Sequence, residues 1–148
     1  MHTLILLLVL AGGASPAEFG LSLLVTEGGA NPGEERFELS ANGDVVHHTW
    51  RLESRQPAEQ RWNIRAEGVE RIRKVLAGCR FLELPDTLNQ GQGADAAYTV
   101  RLEVVDGERR HAVLAYSLGS PPPPDRFLKL VARIRAILTG GGRYPPPH

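Results

Sequence analysis

From Arg36 to Leu52, apolar and polar residues alternate on either side of Asn42-Gly43, which is the pattern of two strands joined by a tight turn. A two-residue type I′ loop at that dipeptide pairs Leu39 with Val46, Phe37 with His48 and Glu38 with His47. Phe37, Leu39, Val46, His48, Trp50 and Leu52 then face the core, while Arg36, Glu38, His47, Thr49 and Arg51 face water. A polar loop around Ser54 to Gln60 and a short apolar touch at Trp62 and Ile64 follow. From Ala66 to Gly78 the period changes: Val69, Ile72, Val75, Leu76 and Cys79 recur every three or four residues, which predicts a helix with one apolar stripe. Gly78 is the expected left-handed residue closing it. Phe81, Leu82 and Leu84 return to the core before Pro85.

The pattern then plays a second time. Tyr98, Val100, Leu102 and Val104 alternate with Thr99, Arg101 and Glu103, a half-buried strand by its period of two. Asp106-Gly107 predicts the turn, and Ala112 to Tyr116 the return strand. A strict two-residue loop there would set Leu102 against His111, so a three-residue loop with a bulge fits Ala112, Leu114 and Tyr116 better. Pro121 to Pro124 is a stiff connector, and a helix can start only near its end. Phe127, Leu130, Val131, Ile134, Ile137 and Leu138 form the second stripe. Upstream, Phe19 to Val25 predicts an additional strand, with a loop from Glu27 to Glu35. The expected architecture is α+β: an antiparallel sheet of about five strands with two helices on one face, a hairpin-helix unit occurring twice.

Thr3 to Ala11 stands apart as an apolar run followed by small residues, Gly12-Gly13-Ala14-Ser15-Pro16-Ala17. It predicts a secretory signal peptide over residues 1–17, although its start carries no Lys or Arg. The run falls short of the roughly 20 apolar residues that span a bilayer. No Cys follows it, which argues against a lipid anchor. A single domain is expected over 18–139, with a disordered tail over 140–148. The mature protein is then periplasmic or secreted, with no stable membrane span after cleavage.

Lys plus Arg number 17 and Asp plus Glu number 17, so the formal charge is zero. A neutral chain lacks the basic footprint that nucleic acid or an anionic membrane requires. Cys79 is the only cysteine, which rules out an internal disulfide and leaves stability to packing.

Phe37-Glu38-Leu39, Asn42-Gly43-Asp44-Val45, Phe81-Leu82-Glu83-Leu84-Pro85, Asp95, Tyr98-Thr99, Asp106-Gly107 and Tyr116 together give the chain a further likeness. Over most of residues 20–138 it resembles a family of bacterial exported proteins known only as a domain of unknown function. The resemblance implies export and this fold, and it assigns no catalytic residues.

Candidate chemistry is sparse. His47 and His48 are adjacent on a strand and point to opposite faces, so they cannot easily share one ion. No Gly-x-Ser-x-Gly elbow occurs, and Gly91-Gln92-Gly93 lacks the strand and helix that frame a phosphate loop. Neither a resident metal nor a cofactor is expected. The loop Asp86 to Ala97 is long for a compact domain, and such loops often carry function. Asp86 and Asp95 there, with Tyr98 as an aromatic wall, are the candidate binding residues, joined by Asn89, Gln90 and Gln92. The leading expectation is a non-enzymatic exported domain that binds or inhibits an envelope or extracellular protein, through the open sheet face or this loop. The alternative is a small hydrolase or metal-dependent enzyme whose site assembles from His47, His111 and Asp95.

Overall fold

The computed structural model describes residues 18–91 and 98–140. Residues 1–17, over which a signal peptide is expected, Asp95 and residues 141–148 lie outside them. Four strands come first: β1 (Phe19–Glu27), β2 (Gly33–Ser40), β3 (Asp44–Arg51) and β4 (Ala58–Asn63). Helix α1 (Arg65–Gly78) and a 3-10 turn (Phe81–Glu83) lead to the two-residue strand β5 (Gln90–Gly91). Then come β6 (Tyr98–Asp106), β7 (Arg109–Tyr116), the two-residue β8 (Gly119–Ser120) and helix α2 (Asp125–Leu138). Six strands form one antiparallel sheet in the order β4-β3-β2-β1-β6-β7, so the count is six where about five were expected. The added strand is β4, where only Trp62 supplied an apolar signal. A four-stranded meander precedes α1 and a hairpin precedes α2, so the two halves do not repeat one hairpin-helix unit.

One face of this sheet and both helical stripes make the core. Phe19, Leu21 and Leu23 of the central strand β1 meet Phe37 and Leu39 of β2, Val100, Leu102 and Val104 of β6, and Val113 and Ala115 of β7. Val69, Ile72 and Leu76 of α1 close over them with Phe127, Leu130, Ile134, Ile137 and Leu138 of α2. The larger of these side chains, the Val, Leu, Ile and Phe residues, each contribute about 1.5–3 kcal/mol when fully buried. Both stripes match the periodicity of the sequence, with Val75, Cys79 and Val131 partly buried at their margins.

The first hairpin departs from the expected register by one residue. The Gly43 N–H donates to the Ser40 carbonyl at 3.0 Å, and Gly43 takes φ +89°. That is a type I turn followed by one left-handed residue, a three-residue loop, because a type I′ turn needs positive φ at two positions. Leu39 therefore pairs with Val45 and Phe37 with His47. The slip turns every β3 side chain over. Val45 and His47 are buried; Val46 and His48 lie on the opposite face, and Trp50 is 38% exposed. Glycine is also required sterically, since a Cβ at Gly43 would stand 3.0 Å from the Arg65 nitrogen where the turn rests on the start of α1.

The second hairpin shifts as well. Asp106 pairs with Arg109 around Gly107-Glu108, and Gly107 alone has positive φ, as a type II′ turn requires. Leu102 faces Val113, so Val113 and Ala115 point inward while Ala112, Leu114 and Tyr116 occupy the other face. The left-handed residue after α1 is Arg80 (φ 51°, ψ 46°), one residue beyond the Cys79 cap, and not Gly78. Gly140, expected in the tail, ends α2 with φ +66° and donates to the Ile137 carbonyl.

The outer edge of β7 is covered at Leu114 by the chain that leaves the 3-10 turn. The Leu114 N–H donates to the Asp86 carbonyl at 2.8 Å and the Leu88 N–H to the Leu114 carbonyl at 2.9 Å. Next to it, buried Asn89 gives its amide hydrogens to the Tyr116 and Pro121 carbonyls and accepts from the Tyr116 N–H.

Candidate functional site

Inward-facing positions of β2 fall on Glu35, Phe37 and Leu39, so a carboxylate projects toward the helices at the sheet's end. A buried carboxylate needs partners. His47 donates from Nε2 to Glu35 Oε1 at 3.0 Å, and Arg135 on α2 donates from Nη2 to Oε2 at 2.6 Å. His47, 4% exposed, stacks flat on Phe37 with ring centroids 4.1 Å apart, and the Trp62 edge meets it at 6.0 Å. Trp62 in turn donates from Nε1 to the Leu138 carbonyl at 2.7 Å, tying β4 to the end of α2. A cavity of about 550 Å³ adjoins this group, lined by Glu35, His47, Thr49, Trp50, Ser54 and Gln60, within the usual size range of ligand pockets.

Burial pushes the Glu35 carboxyl upward, but the His47 hydrogen bond and the Arg135 charge outweigh it and hold it below the ordinary carboxylate value of 4.5. A depressed pKa stabilises the fold above the unfolded value, and that stability is lost as pH falls through the folded one. Glu35→Gln is therefore expected to lower stability at neutral pH and to flatten the loss below about pH 4.5. Urea unfolding across a pH series checks this, and parallel pH profiles for the two proteins would refute it.

A second polar group sits beside β7. His111 donates from Nε2 to the Leu84 carbonyl at 2.8 Å, and its Nδ1 lies 3.6 Å from Asp86 Oδ1. The Phe81 edge packs on the ring at 5.3 Å. A cavity of about 440 Å³ opens here, lined by Asp86, Thr87, Arg101, Arg110, His111 and Leu114. Of the candidate binding residues, Asp86 thus stands next to a histidine. Tyr98 does not join it: β7 runs between them, since Tyr98 bonds Ser117 from the β6 side while the Asp86 segment follows β7's outer edge. Asn89 is 5% exposed and its amide is engaged by backbone, which removes it from ligand contact. His47 on β3 and His111 on β7 are four strand intervals apart, about 19 Å, so they cannot share one ion. Among the described residues no group of three metal-ligating side chains converges.

The sheet face away from the helices is a third candidate, and its order is regular. One transverse row reads Trp50-Glu34-Thr26-Thr99-Tyr116, with the two threonine hydroxyls bonded to each other. The next reads His48-Arg36-Leu24-Arg101-Leu114, and the next Val46-Glu38-Ser22-Glu103-Ala112. Basic and acidic rows thus alternate about 7 Å apart. They are linked by Arg36 to Glu34 at 2.9 Å, Arg101 to Glu103 at 3.0 Å, and Arg110 to Glu103.

Sequence reasoning missed Glu35 and Arg135. The signal was present in the alternation itself, because Glu35 shares parity with Phe37 and Leu39. Among the described residues no helix is long and apolar enough to cross a membrane. Comparison with protein-family models and with curated protein sequences finds no match for this chain.

Proposed function

We propose that this is an exported binding domain, working in the periplasm or outside the cell, that engages an envelope or extracellular protein through the uncovered face of its sheet. One observation carries the reading: the alternating basic and acidic rows on the uncovered face, flanked by Trp50 and Tyr116. Such a face selects a partner by charge register, and aromatics at its rim add contact area at low entropic cost. The apolar run and small residues of 1–17 support export. The test is capture from an envelope fraction by the wild type and by an Arg36→Glu, Arg101→Glu double variant. One stoichiometric partner is expected with the wild type, lost in the variant and weakened by salt. Equal capture by both proteins would refute the reading.

A small hydrolase is the second reading, favoured by His47 held against Glu35 at a cavity wall, the arrangement that orients a general base. Hydrolysis of a substrate library that disappears in His47→Gln while the fold persists would select it.

A further inference from the structure

We infer that two copies of this chain pair edge to edge through β4, extending the six-stranded sheet into one twelve-stranded sheet. The two edges of the sheet differ. At β7 the Asp86 to Leu88 segment bonds to the outer side, whereas β4 ends the sheet with β3 as its partner strand among the described residues.

The sequence of β4 favours one fit of a second copy. In an antiparallel pair, directly opposed residues share a face, so a twofold axis must pass through one residue and not between two. Centring on Arg61 would oppose two guanidinium groups, and centring on Glu59 would oppose two carboxylates; like charges in that position are destabilising. Centring on Gln60 opposes Glu59 with Arg61 of the second copy, twice over, on the uncovered face. Both side chains are solvent-accessible there, at 43% and 68%, and already lie 2.6 Å apart within one chain. Pairing would turn two intrachain ion pairs into a four-charge square. On the helix side, Gln60 meets Gln60. Its Oε1 is buried without a hydrogen-bond partner among the described residues. A buried unsatisfied amide oxygen is unfavourable, and the second Gln60 brings an amide donor to the same strand position. An edge of six residues makes a small interface, so a reversible dimer is expected, with dissociation at about 10–100 µM.

Sedimentation equilibrium of the purified chain tests this. The wild type should show a monomer-dimer equilibrium. Glu59→Arg and Arg61→Glu should each be monomeric over the same range, because each opposes like charges, and the double exchange should restore the dimer. In a Cys79→Ser background, Gln60→Cys should form a disulfide-linked dimer on mild oxidation, since paired strand residues meet disulfide geometry. A wild type that stays monomeric at about 500 µM overturns the proposal. So does a dimer indifferent to both charge reversals, which would place its interface elsewhere. Both results are independent of whether the uncovered face captures a partner.

Discussion

Alanine in place of His47 is expected to lower the free energy of unfolding by about 2–4 kcal/mol, and alanine in place of His48 by no more than about 0.5 kcal/mol. The neighbours differ in everything but residue type. The His47 ring stacks on Phe37, touches Trp62 and hydrogen-bonds Glu35. Truncating it opens a void against the core and leaves Glu35 to Arg135 alone. His48 stands on the uncovered face, 41% exposed, 3.4 Å from Glu59, and a surface pair of that kind contributes little. Urea unfolding followed by tryptophan fluorescence, compared at equal m values, measures both. A larger loss at His48 would restore the two-residue turn that Asn42-Gly43 suggests.

Asn89→Ala is expected to cost about 2–3 kcal/mol, although the residue sits in a loop. Three backbone groups depend on its side chain: the Tyr116 N–H, the Tyr116 carbonyl and the Pro121 carbonyl. Losing the amide leaves them without these partners at a position only 5% exposed. A Cβ at Gly119 would lie 2.1 Å from Asn89 Nδ2, so glycine is what lets the amide sit there. Hydrogen exchange should localise the damage, with the Leu88, Leu114 and Tyr116 amides losing protection before the centre of the sheet. A uniform change across the sheet, or none, would refute the latch.

The helices were legible because their stripes admit a single reading: Phe127, Leu130, Ile134, Ile137 and Leu138 define one buried side of α2 and no other. The strands β3 and β7 were legible as strands but not in register. Val45-Val46 and His47-His48 are doublets, so a one-residue slip exchanges like for like and the hydropathy pattern cannot object. Ala112 to Tyr116 is apolar on both sides and has the same degeneracy. Only the turn decides, and its length depends on whether one glycine or two residues adopt positive φ. Strand β4 was hidden because an edge strand has one packed side and little need of apolar residues; Trp62 was its whole signal. Of the candidate site, Asp86 fell beside His111 because its carbonyl accepts from the Leu114 N–H, a bond that no spacing encodes, and Asp95 lies outside the described residues. Glu35 was readable in principle, as a charge on the buried parity of a strand.

The segment from Asp86 to Leu88 does more than finish one side of the sheet. A molecule with two free edges behaves as a bifunctional monomer, and each addition leaves a new end for the next. With the Leu114 end of β7 held by its own chain, the two ends of this sheet are unequal, and β4 is the one open to a second strand along its length. That inequality favours a discrete pair over an open-ended fibre, and it rests on two backbone hydrogen bonds at Leu114.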